Sequence, residues 1–260
     1  MKKLAVAVIV AAVFVYGLWF IAVPKSLLSG LITDSFQGSS VGIDTVNFQK
    51  GPFYDVSIGQ LKVEKSGSTI LSVDNLDGRF SFSSLLKLSP GIIFHGDVAG
   101  GTIHGTVYFS KGGRRIDAVL EGAHLEDVPF LTKAGIDGKG IVSGKYRADN
   151  SKGSLEFTVD SADIKPYSFG GVPVPLNMFQ KARGSMETDG RMLKIVSFTM
   201  EGKGIYARIK GSVNGRMMNL TLEIMPDASL ERQNPMFSMI RQYEVSPGHY
   251  SIPLRSTLPF

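Results

Sequence analysis

Histidine and cysteine, the residues that most often bind metals or act in catalysis, are scarce in this sequence. The four histidines, His95, His104, His124 and His249, lie far apart, and none has the HExxH spacing of a helical zinc site. Folding could still bring some of them together, but His104 falls on the polar face of a predicted strand, where a surface or cross-strand position is expected. There is no cysteine, so disulfides, thiolate catalysis and Cys-ligated zinc are excluded.

A Gly-x-Ser-x-Gly pattern, typical of some hydrolases, occurs at residues 38–42, with Ser40 at the position of the nucleophile. In those enzymes a strand precedes the serine and a helix follows it, within an α/β sheet. Here the surrounding pattern predicts a helix before Ser40 and strands after it. We therefore do not expect Ser40 to be catalytic.

Two carboxylate pairs lie close together in the sequence, Asp74 with Asp77 and Glu126 with Asp127. Neither pair has the alternating oxygen ligands and closing glutamate of a calcium loop. We expect Asp77 to form a turn with Gly78, and Glu126 and Asp127 to lie at a helix N-terminus. No glycine-rich phosphate motif occurs in its required context. The sequence therefore predicts neither an enzyme nor a bound metal or cofactor.

Composition limits the class of protein. The chain has 260 residues, of which 43% are hydrophobic and 20% charged, and it contains 30 glycines. It is too apolar to be disordered and too charged to be a multispanning membrane protein. The net charge is +5, but Lys2, Lys3 and Lys25 flank an apolar segment. The small remaining excess of basic residues does not indicate nucleic-acid binding.

Residues 4–23 contain no charged side chain, and as a helix they would be ~30 Å long, enough to cross a bilayer. A cleaved signal peptide fits less well, because Phe20 and Ala22 do not form a small-x-small cleavage site. A buried core helix fits less well because the run is long, terminal and flanked by lysines. Lys2 and Lys3 favour a cytoplasmic N-terminus. We predict that residues 1–24 are a cytoplasmic stub and single transmembrane anchor in a bacterial inner membrane, with the rest periplasmic.

Beyond the anchor the hydrophobic period changes. Residues 25–40 have helical spacing and predict an amphipathic helix at the bilayer surface, whereas alternation from residue 41 onward predicts antiparallel strands. The expected fold is mainly β, with residues 41–260 forming one elongated, curved sheet folded over as a trough. Two short helical stretches are predicted at residues 125–134 and 229–243. Glycine turns are expected at Asp77-Gly78, Asp189-Gly190 and Asn214-Gly215, and a bulge at Gly59-Gln60.

The alternating strands predict a sheet with one apolar face, which must be covered by protein or by a ligand. We expect this face to line the inside of the trough, either as a packed core or as a groove that holds acyl chains. The sequence leaves both open, because both require the same alternation. The candidate lining residues are Ile103, Val107, Phe109, Leu155, Phe157, Val159, Ile205 and Ile209.

Several segments resemble known families. The anchor followed by residues 71–76, 84–86 and 100–105 resembles the AsmA-type layout, in which an inner-membrane helix carries a periplasmic sheet. The block from residues 117–122 through Leu131, together with residues 138–144 and 246–254, resembles more closely the N protein family of type II secretion systems. That resemblance implies a bitopic inner-membrane protein without catalytic residues. AsmA-type relatives are linked to lipid traffic between membranes.

We therefore expect a structural or interaction component of the type II protein secretion system whose partners are the membrane and other secretion proteins. The alternative is an AsmA-like module that binds or transfers phospholipid. An outer-membrane barrel is a third possibility, because Leu254, Leu258 and Phe260 alternate at the C-terminus. Most predicted strands are, however, shorter than the ~9 to 11 residues that a tilted crossing requires.

Overall fold

A computed structural model describes residues 41–51, 54–65, 67–81, 90–110, 113–133, 135–169, 172–190, 192–215 and 217–257. The predicted anchor (1–24), the predicted surface helix (25–40) and Ser40 lie outside these residues. Within the described part of the chain, no helix is both long and apolar enough to cross a membrane.

Sixteen strands account for most of the described residues. They are β1 (Val41–Lys50), β2 (Asp55–Lys65), β3 (Ser68–Ser81), β4 (Gly91–Val98), β5 (Gly101–Ser110), β6 (Gly113–His124), β7 (Gly138–Asp149), β8 (Lys152–Ile164), β9 (Tyr167–Phe169), β10 (Val172–Val174), β11 (Phe179–Asp189), β12 (Met192–Gly202), β13 (Ile205–Asn214), β14 (Met217–Pro226), β15 (Glu244–Ser246) and β16 (His249–Thr257). The short α-helices are α1 (Pro129–Lys133), α2 (Ala228–Gln233) and α3 (Met236–Met239).

Fourteen of these strands form one antiparallel sheet in the order β1-β2-β3-β4-β5-β6-β7-β8-β11-β12-β13-β14-β16-β15, and β9 with β10 forms a separate hairpin. Nearly every strand therefore pairs with its neighbour in sequence. Such local pairing needs only short connections, which the many glycine turns supply. The prediction of a mainly β, antiparallel fold with short helices is confirmed.

The predicted turns are partly confirmed. Asp189-Gly190 and Asn214-Gly215 end β11 and β13. The turn predicted at Asp77-Gly78 is wrong, because β3 continues to Ser81 and Gly78 pairs with Val56 on one side and Phe94 on the other. Pairing on both sides outweighs the local preference of Asp-Gly for a turn.

The bulge predicted at Gly59-Gln60 is also wrong. Register between β1 and β2, and between β2 and β3, is the same on both sides of Gly59, so β2 contains no extra residue there, although Gly59 itself has no paired residue in either ladder. Left-handed backbone conformations occur instead on both flanking strands, at Asn47 with φ 59° and at Asn75 with φ 49°. Asparagine tolerates this conformation better than most residues. Asn47 and Asn75 lie at the register positions opposite Gly59, so the irregular backbone is on the two neighbouring strands.

Both predicted helical stretches are present but interrupted. In the first stretch a 3-10 turn (Leu125–Asp127) is followed by α1, which ends at Lys133. The second stretch contains α2, α3 and a further 3-10 turn (Arg241–Tyr243). The break between α2 and α3 falls at Asn234 and Pro235, because proline cannot donate the hydrogen bond that would continue α2.

The connections are distributed unequally between the two edges formed by the strand ends. At one edge, which we call the helical edge, lie the connection 125–137 with α1, the connection 165–178 with β9 and β10, and the segment 227–248 with α2, α3 and β15. The opposite edge, which we call the hairpin edge, is formed by the C-terminal ends of β1, β3, β5, β7, β11 and β13. Among the described residues, the longest connecting segments lie at the helical edge.

Candidate functional site

Apolar residues and glycines from ten neighbouring strands form one registered row across the sheet. Directly opposed residues of antiparallel strands lie on the same face, so the row marks a continuous apolar face. It runs from β4 to β16 through Gly96, Ile103, Leu120, Gly144, Phe157, Gly184, Phe198, Ile209, Leu222 and Ile252.

All eight predicted lining residues lie on this face. Ile103, Phe157 and Ile209 belong to the row itself. Val107, Phe109 and Leu155 lie nearer the hairpin edge. Val159 and Ile205 lie nearer the helical edge.

The exposure of this face changes along the strands. On β5, Gly101 at the helical edge is buried, whereas Phe109 at the hairpin edge is 41% exposed. On β12, Met200 is buried and Leu193 is 36% exposed. On β7, Tyr146 near the hairpin edge is 38% exposed. Between β5 and β12 the apolar face is therefore closed at the helical edge and open at the hairpin edge.

The first helical connection contributes to this closure. Leu125 and Leu131 pack with Val159 and Ala162 of β8. The same connection reaches β3, because Lys133 Nζ donates a hydrogen bond to the carbonyl oxygen of Thr69 at 3.0 Å. This segment thus extends past the ends of β4, β5 and β6.

The segment with α2 and α3 covers the C-terminal strands, and we call it the C-terminal cap. Phe237 and Ile240 are each only 2% exposed and pack with residues of β13, β14 and β16. Leu222 and Ile252, the row residues beneath it, are fully buried. This end of the apolar face is a packed core and offers no open groove.

One polar contact stabilises a helix of the C-terminal cap, and another joins the cap to the sheet. The Asp227 carboxylate accepts hydrogen bonds from the backbone N–H groups of Ser229 and Leu230 at 3.1 and 2.8 Å, which caps α2. The Tyr250 hydroxyl of β16 donates to Glu231 Oε1 of α2 at 2.5 Å. Burial, together with this hydrogen bond, raises the pKa of Tyr250 to about 12.

Aromatic rings on the apolar face occupy the space beside glycines of neighbouring strands. A Cβ added to Gly184 would lie 2.2 Å from Cε1 of Phe157, so the phenylalanine ring occupies that space. Likewise a Cβ on Gly105 would lie 2.7 Å from Cζ of Phe94. The rings of two strands therefore lie over the glycines of the next strands, which explains several of the glycines within strands.

The structure divides the predicted lining residues into two groups. Val159 and Ile205 are buried core residues, so neither lines an open groove. Ile103, Val107, Leu155, Phe157 and Ile209 are half-buried, and Phe109 is exposed. The apolar face is thus a packed core at the helical edge and partly open at the hairpin edge. The sequence alone did not indicate this difference.

The polar face carries side chains of both signs. A shallow depression of about 1060 Å³ extends over this face from β5 to β12. Within it Asp117 lies 3.2 Å from Arg115 and 3.8 Å from Arg147. Lys194 lies 4.0 Å from Glu187. Because these charges alternate, the depression has no concentrated positive or negative potential for a charged ligand.

The remaining polar candidates show no catalytic arrangement. His95 and His104 are directly opposed on β4 and β5, and Asp77 is opposite His95, a juxtaposition that spacing in the sequence did not reveal. Both histidines are exposed. Over the part of the chain that the structure describes, no group of three or more His, Cys, Asp or Glu side chains could hold a metal ion.

The predicted carboxylates have ordinary structural contacts. Asp74 accepts a hydrogen bond from Gln60 Nε2 at 2.8 Å. Glu126 lies within the 3-10 turn, after Leu125, and accepts a hydrogen bond from the N–H of Gly140 at 3.4 Å. Backbone N–H groups lower the pKa of the Glu126 carboxyl. Asp127 lies 3.6 Å from His124.

One buried carboxylate was missed by the sequence analysis. Glu223 of β14 lies on the polar face and is 7% exposed. It accepts hydrogen bonds from Arg208 and from Lys210, whose Nζ lies 2.8 Å from Oε1. These two cations belong to the neighbouring strand β13. The bond from Lys210 and the contact with Arg208 lower the pKa of Glu223, although burial acts in the opposite direction.

No family model, curated protein or solved structure matches this chain. The resemblance to the secretion N protein family therefore stays a prediction from the sequence.

Proposed function

We propose that this chain is a non-enzymatic component of the type II protein secretion system. In this proposal a single helix anchors it in the bacterial inner membrane with the N-terminus in the cytoplasm, and the sheet lies in the periplasm and contacts other secretion proteins. The resemblance to the secretion N protein family motivates the assignment. The structural observation that supports an interaction role is the edge of β16.

The outer edge of β16 is covered by β15 at only two positions, where Glu244 pairs with Tyr250 and Ser246 with His249. Residues 251–257 pair with β14 on one side and with no described strand on the other. Such an edge can accept a strand from another protein. Proline has no N–H to donate and is tolerated in a sheet where its nitrogen faces an open edge, as that of Pro253 does. Backbone nitrogens alternate in direction along a strand. The nitrogens of Ser251 and Arg255, two residues to either side of Pro253, therefore also face outward.

Site-specific photocrosslinking in living cells tests this proposal. A photoreactive amino acid at Arg255 should form adducts with another secretion protein, whereas the same amino acid at Asn150, in a turn at the hairpin edge, should not. Arg255→Pro should reduce the adducts formed from Ser251 while leaving the anchored protein at normal abundance. Recovery of the chain in the cytosol, or adducts that include no secretion protein, would refute the proposal.

A second candidate function is binding or transfer of phospholipid by a curved, AsmA-like trough. It is favoured by the half-buried apolar face between β5 and β12, where Val107, Leu155 and Phe157 are only partly covered. Monomeric proteins rarely leave a large contiguous apolar area open to water without a partner or a ligand. An acyl chain would cover these side chains.

Mass spectrometry of the purified full chain tests this candidate, with copurified phospholipid as the expected result. Phe109→Ser and Tyr146→Ser should lower the amount of bound lipid. Ile93→Ser is the matched control, because Ile93 is 52% exposed and faces the polar side, opposite Arg79 and Thr106. A lipid-free protein, or equal losses in all three variants, would exclude this function.

A further inference from the structure

We propose that the open edge of β16 binds an extended segment of a partner protein that places an acidic side chain beside Arg255. This inference rests on the secretion-component function proposed above, whose interaction surface is the same edge. It adds the charge of the partner segment and the side chain that recognises it.

The two outer long strands of the sheet, β1 and β16, differ in how readily they can accept another strand. β1 is irregular near its middle, where Asn47 has φ 59° and no paired residue on β2. Irregular backbone and exposed charges, such as that of Asp44, are common protections of a free edge. Every residue of β16 belongs to the described part of the chain, and none has a left-handed backbone. Strand addition is therefore favoured at β16.

The backbone of β16 supplies hydrogen-bonding groups along its open side. The N–H and carbonyl groups of Ser251 and Arg255 face outward, whereas Pro253 between them offers only its carbonyl oxygen. In an antiparallel pair, a residue that faces its neighbour in this way exchanges both of its backbone hydrogen bonds. A strand added along residues 251–257 would thus be held mainly at Ser251 and Arg255.

The polar face next to this edge has an excess of positive charge. On β13, β14 and β16 the charged side chains are Arg208, Lys210, Arg255 and a single carboxylate, Glu223. Arg208 and Lys210 both bind Glu223, which leaves one positive charge over. Arg255 is exposed, its neighbour on β14 is Asn219, and its side chain has no ion pair with any described residue. The surface therefore favours an acidic partner.

The carboxylates of the C-terminal cap do not neutralise Arg255. Glu231 accepts a hydrogen bond from the Tyr250 hydroxyl, and Glu244 of β15 is paired directly with Tyr250. Tyr250 lies on the apolar face, so both carboxylates lie on that side of the sheet, whereas Arg255 is on the polar side. Glu244 also lies 4.0 Å from Arg241. A carboxylate directly opposite Arg255 on an added strand would complete a cross-strand pair of opposite charge.

Peptide binding to the purified full chain tests this inference. One fluorescent probe has the alternating core Val-Ser-Val-Glu-Val-Ser-Val, and a second probe has Lys in place of Glu. The Glu probe should bind about threefold or more tightly than the Lys probe. Its binding should slow hydrogen exchange at the amides of Ser251 and Arg255. It should not change exchange at Ile252 and Leu254, whose amides already face β14.

Charge reversal provides an independent readout. Arg255→Glu should weaken binding of the Glu probe by about three- to tenfold and make the Lys probe the tighter ligand. Arg183→Glu is the matched control, because Arg183 is also exposed on the polar face but lies on β11, which is paired on both sides. It should have little effect. If Arg255→Glu does not fold, Arg255→Gln replaces it and should abolish the preference for the Glu probe.

The outcomes separate this inference from the proposed function. Equal binding of the two probes, or equal losses in Arg255→Glu and Arg183→Glu, would overturn the acidic partner even where crosslinking finds a secretion protein at this edge. No binding, or slowed exchange only elsewhere on the sheet, would also overturn it. Dimerisation that protects the same amides without peptide would overturn it as well, because a second copy would then occupy the edge. Charge-dependent binding of the Glu probe without any secretion protein crosslinked in cells would support the inference and refute the proposed function.

Discussion

Phe157 and Gly184 lie directly opposite each other on β8 and β11, and the ring of Phe157 fills the space that a side chain on residue 184 would need. The same ring contacts Phe198 on β12, with 5.7 Å between the ring centroids. One aromatic side chain on β8 thus packs against residues of the next two strands, β11 and β12.

Gly184→Ala is therefore expected to destabilise the protein by about 1–3 kcal/mol, the usual cost of overpacking. Gly78→Ala is the matched control, since the nearest atom to a Cβ there is Ile92 Cγ2 at 3.4 Å, an ordinary contact. Urea unfolding of both variants gives the comparison. Equal unfolding midpoints for the two variants would show that Phe157 moves aside without cost.

The C-terminal cap contributes most through one side chain. Phe237 is 2% exposed, and its ring centroid lies 5.6 Å from that of Tyr250. Phe237→Ala should lower the free energy of unfolding by about 3–5 kcal/mol. Met239 lies on the same helix but is 69% exposed, so Met239→Ala should change it by less than about 0.5 kcal/mol. Thermal unfolding of the two variants tests this. A large loss for Phe237→Ala with almost none for Met239→Ala indicates a packed cap, whereas small losses for both would indicate a loosely attached one.

The contact between Tyr250 and Glu231 predicts a dependence on alkaline pH. Because the pKa of Tyr250 is raised to about 12 in the folded protein, its stabilising effect is complete below the usual tyrosine pKa of ~10. The effect is lost as the pH rises from there through about 12. Tyr250→Phe should cost about 1–2 kcal/mol at neutral pH and lack this alkaline loss. Unfolding measured at several pH values tests it, and identical pH profiles for both proteins would contradict it.

Much of the sheet could be predicted from local pattern. The alternation of apolar and polar residues predicts the strands, and glycine turns such as Asn214-Gly215 predict the hairpins. This is enough for most of the sheet because each strand pairs mainly with its neighbour in sequence. The turn at Asp77-Gly78 failed because pairing with β2 and β4 on both sides decides that position. Likewise, alternation identified Val107 and Val159 as members of one face. It could not show that only Val159 is covered, because the cover comes from a connection whose placement is set by tertiary packing.

The charge cluster at Glu223 is a feature of register alone. Arg208 is directly opposite Glu223 on β13, and Lys210 is two residues away from Arg208, so the carboxylate receives two cations that are distant in sequence. Nothing in the local sequence of β14 indicates this, since Glu223 occupies an alternating position that would ordinarily be exposed.

Replacing Glu223 with Gln should therefore destabilise the protein by about 1–3 kcal/mol at neutral pH, the range for hydrogen bonds to charged groups. Because the pKa of Glu223 is lowered in the folded protein, its contribution is present above the usual carboxyl value of 4.5 and is lost as the pH falls through the lower folded value. The unmodified chain should thus lose stability in acid more steeply than Glu223→Gln.

Glu187→Gln is the control, since Glu187 lies 4.0 Å from Lys194 and both are largely exposed. That exposed pair should contribute no more than about 1 kcal/mol. Urea unfolding between neutral and acidic pH distinguishes the two pairs, and parallel acid profiles for all three proteins would show that Arg208 and Lys210 do not stabilise the Glu223 carboxylate.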